Sequence, residues 1–371
     1  MIPFHKNTFE SIPAITSIYE MNTFDNYKEK CNSWFINKRS YPNFFFTKSC
    51  TQSLELALMS LNLPVASEVI LPSFAFVSLA NAINNLGFKC VFIDCDANTM
   101  NINPDEIEQA ISPLTKAIIT INYGGIACDY DKILKICSSY QLYLIEDNAH
   151  GINAEYKGKL LGNYGDISTF SFDYLKNITC YEGGGVVINR KDLLNQFSIN
   201  YEFGTNRVEF LEGKSDYYEW KGKGSNARLA PPLYYYLAMQ LERIDEIIDE
   251  FKKKWNLYQE LLKPLEGKDY LSLVSIPQYA EHNAHIYWIK CKNKAERTRL
   301  MEYLKNEQIQ TSFHYTPLHT SEYGKKKGVF RGDNKNTTTE SERLLRLPLY
   351  HSILDNEISN VVECINKFYR I

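Results

Sequence analysis

No two cysteines in this 371-residue chain are spaced as C-x-x-C, no apolar run reaches the length of a membrane span, and neither sign of charge dominates. Each absence removes a class of function. The nine cysteines (Cys31, Cys50, Cys90, Cys95, Cys128, Cys137, Cys180, Cys291 and Cys364) are scattered and odd in number, so neither a disulfide framework nor a zinc site is indicated, and a reducing compartment is expected. A formal net charge of −3 and a pI near 6.2 leave no overall basic field, which argues against a nucleic-acid partner held by phosphate neutralisation. The first residues, Met1-Ile2-Pro3-Phe4-His5-Lys6, lack a charged head followed by an apolar run and a cleavage site. With no spanning segment either, a cytoplasmic protein without membrane association is expected. There is no internal repeat and no low-complexity tract.

What is present is the composition of a globular protein, 44% hydrophobic and 23% charged, in a chain longer than one ordinary core. Two domains are expected. Residues 1–235 form the larger, and residues 236–371 a connecting helix followed by a small α+β domain. In the first, short β-rich runs at 44–46, 69–71, 90–93, 117–121 and 142–145 alternate with segments of helical period at 53–61, 77–85, 104–111 and 130–140. This βαβ rhythm, with continuously apolar strands, predicts a mostly parallel sheet covered on both faces. A Gly, Lys and Tyr-rich stretch at 203–225 reads as an excursion or subunit contact. Pro231-Pro232 then opens a long helix with apolar residues at Leu237, Leu241, Ile244, Ile248, Phe251 and Trp255, which Pro264 is expected to end. Strands are expected at 286–289 and 310–314, and helices at 295–306 and 354–369.

In open α/β sheets the ligand sits at the carboxyl ends of strands, so the residues just after each run are the ones to examine. Asp147 ends one such strand, in Ile145-Glu146-Asp147-Asn148-Ala149-His150. Lys176 follows in Phe170-Ser171-Phe172-Asp173-Tyr174-Leu175-Lys176-Asn177, shortly before Glu182-Gly183-Gly184-Gly185. Taken singly, the commoner reading of Asp147 is a turn residue or helix cap, of Ser49 or Thr51 a helix N-cap and of Lys176 a surface lysine, while His150 and Phe76 read equally as core. Together they match the needs of pyridoxal phosphate (PLP). Lys176 supplies the amine for a Schiff base and later the general base and acid; Asp147 keeps the pyridine nitrogen protonated. Ser171 and the strand-to-helix turn at Thr47-Lys48-Ser49-Cys50-Thr51-Gln52 supply hydroxyls and free N–H groups for the phosphate. His150 and Phe76 are candidates for the two faces of the ring.

The segments Ser49-Cys50-Thr51-Gln52-Ser53-Leu54-Glu55, Leu71-Pro72-Ser73-Phe74-Ala75-Phe76-Val77-Ser78, Ile145 to His150, Phe170-Ser171-Phe172, Lys176-Asn177 and Glu182-Gly183-Gly184 resemble the nucleotide-sugar aminotransferases of the DegT/DnrJ/StrS type over nearly the whole chain. Met1-Ile2-Pro3-Phe4, Thr99-Met100-Asn101-Ile102, Asn283-Ala284-His285, Phe313 to His319 and Thr339 to Leu349 narrow the similarity to dTDP-4-keto-6-deoxyhexose transaminases of bacterial surface-polysaccharide synthesis. The resemblance implies a fold-type I PLP enzyme, alternating between PLP and pyridoxamine (PMP) forms. L-glutamate is the implied donor and a dTDP-4-keto-6-deoxyhexose the acceptor. By position it implies Lys176 as the Schiff-base lysine, Asp147 on the ring nitrogen, Phe76 and His150 around the ring, and Ser171 with the backbone of Thr51 and Gln52 at the phosphate. Asn226 matches the residue that completes a neighbouring subunit's phosphate site, so a homodimer with shared sites is implied. His314, Tyr315 and His319 fall where the small domain approaches the sugar nucleotide.

Three positions depart from the family pattern. Asp173 stands where His is usual, Tyr181 stands where Gly is usual, and residues 17–28 lack the glycines of a substrate-side loop. No residue votes between amination at C4 and at C3 of the hexose. A dehydratase on the same fold is disfavoured by Lys176, which related dehydratases replace with histidine. A noncatalytic regulator is disfavoured by the retained lysine, carboxylate and phosphate loop.

Overall fold

The structure, a computed structural model, describes residues 1–6 and 21–370; residues 17–20 of the glycine-poor segment lie outside them. The strands are β1 (Phe44–Thr47), β2 (Glu68–Pro72), β3 (Lys89–Ile93), β4 (Thr115–Ile121), β5 (Tyr143–Asp147), β6 (Glu155–Tyr156), β7 (Lys159–Leu160), β8 (Ile167–Ser171), β9 (Gly184–Ile188), β10 (Ser272–Leu273), β11 (Ala280–Glu281), β12 (Tyr287–Lys290), β13 (Gly328–Phe330) and β14 (Leu344–Leu347). Eight of them form one sheet in the order β1-β9-β8-β5-β4-β2-β3-β13. Its pairings are parallel except where β9 meets β8 and β1. The central strands β2, β8 and β9 are buried along their whole length, as continuous apolar or small-residue runs require when helices cover both faces.

The register sets up the site. Ile121 lies beside Asp147 and Asp147 beside Thr169, so the carboxyl ends of β4, β5 and β8 share one rim. Because β9 runs the other way, its first residue, Gly184, reaches that rim too, paired with Ser171 on one side and Thr47 on the other. The loop joining β8 to β9, which holds Lys176, and the turn from β1 into helix α2 (Cys50–Ser60) therefore meet there. Gly184 permits the approach, since a Cβ at that position would lie 2.5 Å from the Ser49 carbonyl carbon.

A second sheet, β10-β12-β14, is antiparallel and packs among helices Ile244–Gly267, Lys294–Asn306 and Asp355–Tyr369. The last buries Ile358, Val361, Val362 and Ile365 at helical spacing. A third small sheet joins β11 to the β6-β7 hairpin.

Three sequence-based expectations are corrected. The single long helix is two, Pro231–Leu241 and Ile244–Gly267, broken at Glu242-Arg243. The break leaves the buried face of Leu237, Leu241, Ile244, Ile248, Phe251 and Trp255 in phase, so the apolar pattern carries no trace of it. Pro264 does not end the second helix, which runs on to Gly267; within the final turn a missing N–H removes one hydrogen bond. Residues 310–314 form no strand. That stretch touches its neighbours through isolated bridges, including Ser312 with Arg346. The chain instead returns at β13, which adds as a parallel edge strand beside β3.

Candidate active site

The rim opens into a cavity of about 580 Å³ lined by residues from both the large sheet and the β12-β14 region. Of the residues singled out in the sequence, Thr51, Phe76, Asp147, His150, Ser171, Lys176, His314 and Tyr315 line it. Asp147 is 3% exposed, and its Oδ1 accepts from the Ala149 N–H at 3.0 Å and from the Cys50 thiol at 3.7 Å. Burial pushes the carboxyl up to about 6, against which the Ala149 N–H and the Lys176 charge work. Burial conversely lowers the Lys176 amine below the ordinary lysine value. These opposite groups feel one another across the cavity, yet they form no ion pair within 4 Å. A gap lined by an amine on one side and a carboxylate on the other is the space a pyridine ring and its aldehyde carbon require.

The phosphate end is built by α2. Ser49 caps the helix, its side chain accepting from the Gln52 N–H at 3.2 Å, and the adjoining first-turn residues Cys50 and Thr51 line the cavity. Ser171 is buried across from them, at the end of β8. The residues present thus fit PLP: amine, carboxylate and anion-binding turn face one cavity from three directions.

His150 accepts the Gly124 N–H at Nδ1, 3.2 Å, and burial pushes its pKa well below the usual histidine value. The ring is therefore neutral with its proton on Nε2. His285 lies against it, ring centroids 4.2 Å apart, and meets Asn177 Oδ1 at 2.6 Å. Asn177 in turn donates to the Asn283 carbonyl at 3.0 Å. The residue next to Lys176 is thus tied to the β12 side of the cavity. Phe76 stands at the mouth, 56% exposed, with its ring 6.2 Å from that of Tyr315.

Gln52, Asn226 and His319 lie outside the lining. Gln52 donates to Ser225 Oγ at 2.8 Å, and Asn226 is exposed. His319 is engaged one layer back, with Ser73 Oγ at 2.6 Å and the Phe330 ring at 4.4 Å. Cys50, Tyr123, His285 and Arg346 were not assigned roles from sequence. Tyr123 Oη and His314 Nδ1 are 3.3 Å apart, and His314 stacks on Tyr315 at 4.2 Å. Cys50 was within reach of sequence, since it begins α2 between the cap Ser49 and Thr51. A lone Tyr or Arg in an apolar run carried no such signal.

The family model for the DegT/DnrJ/EryC1/StrS aminotransferases matches residues 35–366. The chain belongs to that family. As a DegT/DnrJ/EryC1/StrS member it is a PLP-dependent sugar aminotransferase. Among its relatives is the spore coat polysaccharide biosynthesis protein SpsC of Bacillus subtilis, 31% identical over 85% of this chain and 83% of SpsC. Two solved structures share the fold. The PLP form of Streptococcus pneumoniae Spr1654 is 23% identical with a TM-score of 0.82, over 92% of this chain and 90% of the other. DesI, solved with its TDP-sugar product, is 24% identical with a TM-score of 0.80, over 93% and 84%. Among the described residues no helix is long and apolar enough to cross a membrane.

Proposed function

We propose that this aminotransferase moves the amino group of L-glutamate onto C4 of a nucleotide-linked 4-keto-6-deoxyhexose, dTDP-4-keto-6-deoxy-D-glucose, for surface-polysaccharide synthesis. The observation that carries the reading is that Lys176, Asp147 and the first turn of α2 line one cavity. PLP, when bound, supplies the aldehyde that takes up the amino group and a ring that accepts the electrons left behind by the departing proton. Lys176, its amine made less basic by burial, takes the proton from the donor carbon and returns it during the two halves of the exchange. Asp147 holds the ring-nitrogen proton in place. Ser171, the Thr51 turn and, from a second copy of the chain, the exposed Asn226 hold the phosphate. His150 and Phe76 orient the ring.

The sugar enters past Phe76 toward the wall made by His314 and Tyr315, backed by the buried Tyr123, whose rings and polar edges suit a hydroxylated hexose. The nucleotide-sugar reading is supported by DesI, solved with a TDP-sugar product, and the polysaccharide reading by SpsC. Amination at C3 of a 3-keto isomer is the alternative. Mass spectrometry and NMR of the product formed from L-glutamate and dTDP-4-keto-6-deoxyglucose decide between them. A 4-amino-4,6-dideoxy product is expected, and turnover of the 3-keto sugar alone would overturn the C4 assignment.

A further inference from the structure

Arg346 is the second cation of the cavity and the one for which the chemistry so far has no task. It sits in β14, its backbone bonded to Ser312 on one side and in register with Trp288 of β12 on the other. Its side chain lines the same space as Lys176. One arm of the guanidinium, Nη1, donates to His314 Nε2, and the Phe4 ring lies 4.7 Å from Cζ. Nε is buried with no hydrogen-bond partner. Among the described residues no carboxylate lies within ion-pair distance of it.

An arginine can only donate, so His314 accepts at Nε2 and carries its proton on Nδ1, toward Tyr123 Oη. His314 is thus a neutral brace that fixes one arm without supplying countercharge. A guanidinium desolvated in this way is costly unless an anion completes it, and its planar fork matches a carboxylate.

Of the two reactants, the amino donor carries its α-carboxylate on the reacting carbon itself. The nucleotide sugar carries its diphosphate at C1, across the hexose ring from C4. A cation sharing a cavity with the Schiff-base lysine is placed for the first of these anions. We propose that Arg346, braced by His314, clamps a carboxylate of the amino donor, which makes it a specificity-determining residue for the donor half of the reaction. This rests on the transaminase reading, though not on the identity of the sugar.

The test is calorimetric binding of glutarate, a dicarboxylate that cannot react, and of dTDP, a diphosphate, to the PLP-loaded enzyme and to Arg346→Gln and Arg346→Lys. Glutarate affinity should fall on the order of 100-fold in R346Q, less in R346K, which keeps the charge and loses the fork, while dTDP affinity changes little. The KM for L-glutamate should rise in parallel. Retention of the cofactor absorbance band shows that a variant is folded; if R346Q loses it, R346K carries the decision. Unchanged glutarate binding, or loss of dTDP binding in place of it, would overturn the proposal. If the wild type binds glutarate through Arg346 yet aminates no 4-keto sugar, the clamp stands and the sugar assignment falls.

Discussion

Glu146 and Asp147 are consecutive, both buried, and face opposite sides of the end of β5, where they meet opposite treatment. Glu146 turns toward the loop after β7. It accepts from the N–H groups of Gly162 (2.6 Å), Tyr164 (3.0 Å) and Gly165 (3.2 Å), from Ser168 Oγ (3.0 Å) and from Asn122 Nδ2 (3.2 Å). Asp147 turns toward the cavity and finds one backbone N–H, the Thr169 hydroxyl and a weak thiol donor. The Glu146 side is a finished structure, closed by glycines that let the loop come close; a Cβ on Gly165 would lie 2.8 Å from the Glu146 nitrogen. The Asp147 side is left incomplete, as a carboxylate must be if its partner arrives with a ligand. Burial of a charged group is therefore not itself a mark of function. What separates the two is how many donors the protein has already committed.

The largest expected effect lies on the open side. Lys176→Ala should abolish amino transfer, because it removes both the anchor and the proton carrier, while leaving the fold intact, since the lysine fills no packed core. Steady-state turnover with matched thermal unfolding checks both halves. Near wild-type turnover would remove Lys176 from the chemistry, and a collapsed Tm would make it a structural residue.

On the closed side the effect should be on stability. Glu146→Ala leaves five donors facing a void and is expected to cost about 3 to 5 kcal/mol of folding free energy, measured by urea unfolding. A loss below about 1 kcal/mol would mean that water satisfies those donors, and the contrast with Asp147 would dissolve.

The closed side was hard to see in the sequence and the open side easier. Asp147 was legible because an apolar strand ends on it, and Lys176 because a glycine run follows it. The helix Tyr130–Tyr140 matched its apolar period at both ends. Glu146 passed without comment, since three of its five donors come from a loop whose course no local pattern describes, and the other two from β8 and the end of β4. β13 was missed because three residues, Gly-Val-Phe, gain their strand character only from the β3 edge they join. Arg346, in Leu-Arg-Leu-Pro, has the alternation of a half-exposed strand, and only the cavity shows that its outward face is a site.

The smallest effect sharpens the comparison most, because it asks whether Asp147 is incomplete without its ligand. Its folded-state value is raised from 3.8 to about 6, with desolvation the leading cause. Between those values the folded chain holds a proton that the unfolded chain has released, so stability falls as pH rises through this window, and above about pH 6 the full penalty is present. A shift of that size corresponds to about 3 kcal/mol. In cofactor-free protein, Asp147→Asn should therefore be more stable than wild type at neutral pH by up to about 3 kcal/mol, with the difference vanishing below about pH 4. Urea unfolding of both proteins across this range measures it. If wild type is instead the more stable at neutral pH, the donors already around Asp147 outweigh its burial, and the cavity is not waiting for a cation at that carboxylate.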